Sequence, residues 1–286
     1  EAEDDANIDF ITVEDYPIES NVGYYPGCVD YLDQEMVFSH VNEGDMNLGD
    51  ATTSAFTLFD AIDLDVSYLG RDFLKCCGHD QKWQGLTEVF EKLKAYNQKK
   101  IQQSGIDTLV SSCAECFRTF ARDYELEDIK VMHTTEFLIE QGFDMNLKAD
   151  QETTVTYHDP CRLGRQMGVY EEPRELIQSV EGVSIVEMEH SGEDAMCCGV
   201  SSMMSCNENA RALRVARMEE IKSTGADTML TACPKCVTHF ECLKFEGDER
   251  YADIKILDVV SFLAQQINEK KENIGQTSVP VIETEA

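Results

Sequence analysis

The sequence predicts an α/β protein built as two tandem pseudo-symmetric repeats, each a small parallel sheet flanked by helices. Ten of the twelve cysteines fall into two copies of one pattern: a lone Cys, then Cys-Cys-Gly, then Cys-x-x-Cys. The copies keep register outside the cysteines, because Gly105-Ile106-Asp107-Thr108 precedes one Cys-x-x-Cys and Gly225-Ala226-Asp227-Thr228 precedes the other, 120 residues later. In both halves short β-rich runs alternate with helical stretches, the order expected of parallel strands joined by crossover helices.

Residues 1–20 are acid-rich and read as an N-terminal tail. The first repeat, 21–148, places strands at Val22 to Tyr25, Val66 to Leu69, Thr108 to Val110 and from Val131, with a helix over Leu86 to Gln102. The second, 149–270, repeats them at Thr154 to Tyr157, Ser184 to Glu187, Thr228 to Leu230 and Ile254 to Leu257, with a helix over Asn207 to Lys222. Asp128-Ile129-Lys130-Val131 with Phe137 echoes Asp253-Ile254-Lys255-Ile256 with Phe262 and carries the duplication to the end of each half. Residues 271–286 read as a C-terminal tail. The gap from the lone cysteine to the Cys-Cys pair is 47 residues in the first repeat and 35 in the second, which puts an insertion near His40 to Asp50.

Every motif cysteine falls where a strand runs into a helix start, and open parallel sheets collect ligands beyond the carboxyl ends of their strands. A helix start also favours the thiolate over the thiol. Five cysteines exceed the four ligands of one tetrahedral zinc, and adjacent thiolates crowd a single small ion. A multinuclear iron–sulfur cluster accommodates both features, since neighbouring thiolates can bind different irons. Structural zinc sites and two disulfide-stapled domains are the alternatives. Against staples stand the repetition, a chain long enough to bury its own core and the expectation of no secretion signal.

The stretch Tyr157-His158-Asp159-Pro160-Cys161-Arg162-Leu163-Gly164-Arg165, with Glu172-Pro173-Arg174 and Met196-Cys197-Cys198-Gly199, resembles the cysteine-rich Cys-Cys-Gly domain family, whose members include heterodisulfide reductase catalytic subunits of the B and D types. The resemblance covers roughly Val22 to Gln266. It implies two noncubane [4Fe-4S] clusters facing one another across a substrate cleft. On the matching positions, Cys28, Cys76, Cys77, Cys113 and Cys116 hold one cluster, and Cys161, Cys197, Cys198, Cys233 and Cys236 hold the other. The implied reaction is reduction of the coenzyme M–coenzyme B disulfide to two thiols within a multi-subunit complex. Partners would be a separate ferredoxin-like iron–sulfur subunit and a flavoprotein, hydrogenase, formate dehydrogenase or membrane cytochrome module. The alternative is an electron-transfer subunit like those of glycolate and lactate oxidation complexes, passing electrons to a quinone-like acceptor. A structural metal-stapled scaffold is a third possibility. This chain differs from many relatives in following its second Cys-Cys-Gly with Val200-Ser201-Ser202-Met203-Met204 rather than further glycines.

A net charge of −31, from 55 acidic and 24 basic residues, argues against nucleic-acid and anionic-lipid partners. No apolar run approaches the roughly 18 residues that span a bilayer. The expected location is therefore cytoplasmic, reaching a membrane only through a partner. His158 and His79 are candidate proton donors or cluster neighbours, with structural packing as the alternative for each. Arg162 and Arg165 are candidate clamps for a substrate carboxylate, sulfonate or phosphate, with salt bridging as the alternative. His133, His190 and His239 read as structural or surface residues. Cys206 and Cys242 read as small buried hydrophobes, and Met196, Met203 and Met204 as core or cleft lining.

Overall fold

The computed structural model describes residues 18–30, 50–70, 72–200, 207–247 and 249–276. Among the described residues eight strands form two four-stranded parallel sheets of identical order. The first contains β1 (Val22–Tyr25), β2 (Ser67–Tyr68), β3 (Thr108–Ser111) and β4 (Lys130–His133), arranged β2-β1-β3-β4. The second contains β5 (Lys148–His158), β6 (Glu181–Ile185), β7 (Thr228–Thr231) and β8 (Lys255–Asp258), arranged β6-β5-β7-β8. Between the strands run α1 (Asp50–Ala61), α2 (His79–Trp83), α3 (Thr87–Ser104) and α4 (Ala114–Asp123), with α5 (Thr134–Glu140) after β4. The second half has α6 (Gly164–Met167), α7 (Glu171–Gln178), α8 (Glu208–Ser223) and α9 (Pro234–Phe245), then α10 (Val259–Gln276).

The central strands are short because they need only cross a core covered on both sides, and their composition suits that burial. Tyr24, Tyr25, Leu109 and Val110 are buried in the first sheet, and Val155, Tyr157, Met229 and Leu230 in the second. Gly23 keeps β1 close to its neighbours, since a Cβ there would lie 2.4 Å from Leu69 Cδ1. Local signals end and start the long helices. Gly105 stops α3 in the left-handed region at φ +81°, while the Asn207 side chain accepts from the Ala210 amide to open α8.

Helix pairs related by the internal repeat join the halves. α1 packs on α10 and α5 packs on α7. Because α1 and α7 are the first crossovers of their sheets, and α5 and α10 the last helices, these are two versions of one contact. A single core consequently runs through both halves, from Tyr24, Phe59 and Phe137 to Leu176, Phe240 and Leu263. A second core, including Leu69, Phe90, Ile101 and Phe120, belongs to the first half and includes Cys77, Cys113 and Cys116.

Three boundaries depart from the sequence reading, and the first is that of β5, which begins at Lys148 rather than Thr154. β6 occupies Glu181–Ile185 rather than Ser184 to Glu187, because a shift of register in β5 between Lys148 and Thr153 lets Glu181 pair with Lys148. α10 runs to Gln276, into the stretch expected as a tail. The insertion expected near His40 lies outside the described residues, up to Asp50 where α1 begins.

Candidate metal centre

Both central strand pairs deliver cysteines at their carboxyl ends, the position where an open parallel sheet changes winding direction. After β1 a 3-10 turn, Gly27–Asp30, carries the backbone of Cys28. After β3, Cys113 is the extended N-cap of α4, and Cys116 sits in that helix's first turn. The second half repeats the device with Cys233 as N-cap of α9 and Pro234 setting the first turn. Helix N-termini present unpaired amides and the positive end of the helix dipole, so these caps suit thiolates.

The glycine of each Cys-Cys-Gly has a geometric purpose. Gly78 and Gly199 lie at φ +81° and +82°, and their amides point back at the first sulfur of the pair, at 3.5 Å to Cys76 Sγ and 3.4 Å to Cys197 Sγ. Gly27 serves a different approach. A Cβ there would sit 2.4 Å from Cys113 Cβ and 3.4 Å from Cys116 Sγ, so only glycine lets the backbone leading into Cys28 reach those two cysteines.

Among the described side chains, which leave out that of Cys28, the cysteines of the two expected sets form two thiol groups that touch each other. In the first, hydrogen bonds from Cys116 and then Cys76 lower the Cys77 thiol to about 5. In the second, Cys236 Sγ stands 3.3 Å from Cys198 Sγ, and hydrogen bonds from Cys161 and Cys198 hold the Cys197 thiol well below its ordinary value. Across the halves, Cys113 hydrogen-bonds Cys233 and, with burial, pushes that thiol up. Among the described residues no disulfide joins the motif cysteines from Cys76 onward, so the stapled-domain alternative finds no support there. Cys242 is a half-buried thiol, Met196 is half-buried, and Cys206, Met203 and Met204 lie outside the described residues.

A charged cluster fills the seam between the two sets. Lys235, inside the second Cys-x-x-Cys, reaches Asp80 at 2.5 Å and Glu115, inside the first, at 2.6 Å. Burial pushes the Glu115 carboxyl up to about 8 even against Lys235. His79 adjoins this cluster, with Nε2 3.6 Å from Glu115 and Nδ1 3.0 Å from Thr119 Oγ1. Burial, then Arg162 and Lys235, lower it to about 3, so its ring is neutral at neutral pH. His133 caps α5 through Nδ1, which receives the Thr135 amide, and its Nε2–H donates to Ser112 O at 3.2 Å. The carbonyl of Ala232 also hydrogen-bonds this ring, so one histidine ties together the residues preceding Cys113 and Cys233.

His158 is buried three residues before Cys161, with its Nδ1 3.1 Å from Arg217 Nε and its ring edge-on to Phe240. Burial, then Arg217, hold it well below its usual value. Asp159 beside it receives both Nη groups of Arg174, at 2.7 and 2.9 Å, and the Gly192 amide. That clamp ties Glu172-Pro173-Arg174 to the stretch around Cys161. Among the described residues Arg162 has no carboxylate partner and stacks on Trp83 of the first half, its guanidinium 3.9 Å from the ring centroid. Arg165 is exposed and donates to the Ala195 carbonyl.

Sequence reasoning missed Lys235, Asp80, Trp83 and Arg217. Opposite charges at matching Cys-x-x-Cys positions were a usable signal for Lys235 and Glu115. Arg217 had none, since α8 contains several arginines and nothing local marks the buried ones.

Iron–sulfur clusters fit this donor set. Thiols outnumber the ligands of a zinc ion, and His158 Nε2, His239 Nε2 and Arg217 Nη2 are buried without a hydrogen-bond partner among the described residues, as donors facing a sulfide-bearing group would be. A His158 ring nitrogen and the sulfurs of Cys198 and Cys236 lie within 4.8 Å of one another.

Comparison with known proteins agrees. A family model for the cysteine-rich CCG domain matches residues 52–121 and 155–241, together more than half of the chain. A dihydromethanophenazine:CoB–CoM heterodisulfide reductase subunit from Methanosarcina acetivorans is 31% identical over 261 residues, covering 87% of this chain and 59% of the relative. A fumarate reductase (CoM/CoB) subunit from Methanothermobacter marburgensis is 33% identical, covering 66% and 38%. The probable iron–sulfur-binding oxidoreductase FadF of Bacillus subtilis is 30% identical, covering 63% and 26%. The chain therefore spans less than two thirds of each of these relatives. Among the described residues no helix is long and apolar enough to cross a membrane.

Proposed function

The chain belongs to the cysteine-rich CCG domain family, and from that membership we propose that it is an iron–sulfur oxidoreductase subunit that reduces the mixed disulfide of coenzymes M and B. The observation that carries this reading is the meeting of the two thiol sets at one seam, with Cys113 against Cys233. Cleaving R–S–S–R′ consumes two electrons and two protons and releases RSH and R′SH. Bound iron–sulfur clusters supply electrons one at a time, so two of them beside one disulfide match its demand. Cys28, Cys76, Cys77, Cys113 and Cys116 would hold one, and Cys161, Cys197, Cys198, Cys233 and Cys236 the other, both of the noncubane type. A ferredoxin-like iron–sulfur subunit is the proposed electron source, fed in turn by a flavoprotein, hydrogenase, formate dehydrogenase or membrane cytochrome module.

The chain's own residues prepare the seam. Glu115, Lys235 and Asp80 form a buried cluster between the sets that can retain a proton on Glu115 near neutral pH. Buried His79 and His158 are neutral there; His158 serves as a cluster neighbour that offers an N–H group, while the His79 ring is held between Glu115 and Thr119. Arg162, held over Trp83, places a cation beside Cys161 for an anionic substrate. The names of two relatives carry coenzymes M and B, which supports the disulfide as substrate. The name of FadF, an iron–sulfur-binding oxidoreductase, carries neither coenzyme, and this keeps open a second reading, an electron relay serving a partner flavoprotein and a quinone-like acceptor.

The test uses anaerobically prepared protein shown to hold iron and sulfide. Rapid oxidation of reduced viologen on adding the coenzyme M–coenzyme B disulfide supports reduction at this site. Intact, redox-active clusters with no disulfide-dependent oxidation reject it in favour of the relay.

A further inference from the structure

The two thiol sets occupy equivalent places in the repeat, yet their surroundings are not equivalent. Three residues before Cys28 stands Tyr25, and three before Cys161 stands His158. Asn97 in α3 and Arg217 in α8 are likewise counterparts, 120 residues apart.

In the first half these positions direct hydrogen bonds to the backbone and a neighbouring ring. Tyr25 donates to Lys75 O at 3.1 Å. Asn97 Nδ2 donates to Lys75 O, Cys76 O and Tyr124 Oη at 3.0 to 3.2 Å, so the pair braces the loop carrying Cys76. In the second half Arg217 Nε donates to His158 Nδ1. A guanidinium nitrogen can only donate, so Nδ1 is the acceptor and the ring proton resides on Nε2. That Nε2–H is buried without a hydrogen-bond partner among the described residues, and a ring nitrogen lies within 4.8 Å of the Cys198 and Cys236 sulfurs. The other end of Arg217 is tied to Glu220 and to His190 O, which offsets its charge and leaves the oriented imidazole as a difference between the halves at this position.

We propose that Arg217 locks His158 as an N–H donor to the sulfurs of the second set, so that the second cluster has the more positive potential and is the first of the two to be reduced. This rests on the reading that both thiol sets hold iron–sulfur clusters. Adding an electron raises the negative charge on cluster sulfur, and an N–H donor stabilises the charged state, raising the potential. In the first half the matching residue is Tyr25, which has no imidazole and whose hydroxyl donates to Lys75 O. Arg217 and His158 are therefore positioning residues that impose an order of filling on two otherwise similar centres.

The experiment is a redox titration of the anaerobic, cluster-loaded chain followed by electron paramagnetic resonance, preceded by iron and sulfide analysis. The unmodified protein should show two reduction steps. His158→Phe retains an edge-on ring against Phe240 but loses the donor. It should lower the higher step by about tenfold in equilibrium constant, about 59 mV for a one-electron couple, and leave the lower step in place. Arg217→Gln should move the same step in the same direction, and Tyr25→Phe should move neither. If His158→Phe fails to retain iron, Arg217→Gln decides the matter. Clusters whose higher step is unmoved by these changes, or whose lower step moves instead, overturn the assignment. A parent protein that binds no iron and sulfide overturns the cluster reading itself, and the prior analysis separates that failure from this one.

Discussion

Lys235 and Glu115 occupy the same place in the two repeats, each the residue before the second cysteine of a Cys-x-x-Cys, and they meet across the halves at 2.6 Å. Asp80 closes on the other side of the same ammonium, whose side chain is only 2% exposed. Removing one partner of a buried ionic group strands the rest, at a cost of about 3–5 kcal/mol. Lys235→Met should therefore lower the unfolding free energy of the cluster-loaded protein, read from urea melts, by that order and bring the midpoint down with it. Replacing Glu115 with leucine in the same chain should restore part of the loss. An unchanged midpoint in Lys235→Met would show that the cluster does not hold the halves together.

Acid should weaken the fold through His133, which burial lowers to about 4. The unfolded chain takes up a proton near the ordinary histidine value and the folded chain does not. Stability is therefore present above pH ~6.5 and lost as pH falls toward 4, by about 1.4 kcal/mol per unit. Glu115 works in the opposite direction, because its raised carboxyl holds a proton in the fold and loses stability as pH rises through 8. The measurement is thus a difference. His133→Asn retains a capping side chain that does not titrate, and its midpoint should fall less between pH 7 and 5 than the parent's. Parallel pH profiles would refute the assignment.

Trp83 is the sole tryptophan, 46% exposed, with Arg162 at 3.9 Å on its ring and Arg118 at 5.6 Å. Arg162 comes from the second half and Trp83 from the first, so the stack spans the seam. If it presents a cation to an anionic disulfide, Arg162→Ala should raise KM about tenfold, near 1.4 kcal/mol, with kcat within about twofold. Arg162→Lys retains charge without the planar stack and should fall between. A loss confined to kcat would place Arg162 in the chemistry instead.

The repeat made the fold legible, because a pattern that returns at 120 residues fixes which strands are counterparts and which cysteines belong together. The boundary of β6 was not legible, since it depends on a register shift within β5 that no local residue announces. The site divides along the same line. The cysteines and their glycines carry local signatures, a thiol pair before a left-handed turn or a helix cap. Trp83 over Arg162 and Arg217 against His158 join residues 79 and 59 positions apart, and such contacts exist only once the sheets are assembled. Nor does the duplication itself reveal the exchange of helix contacts that gives the halves a shared core.

The two Cys-Cys-Gly glycines should respond differently to the same change. Alanine is strained at either φ, by about 1–2 kcal/mol. At Gly78 the added Cβ meets the tip of Phe90 at 2.7 Å, and a ring edge can move. At Gly199 it meets the Ala210 carbonyl at 2.4 Å and the Arg214 amide at 3.2 Å, so α8 itself must shift. Arg214 and Arg217 share that helix, and a displaced α8 carries Arg217 away from His158. Gly199→Ala should thus lower iron content by about half, emptying the second set, while Gly78→Ala retains most of it. Equal iron loss in both variants would mean that strain at the turn, shared by the two sites, governs assembly, and that the packing of α8 behind the second pair does not.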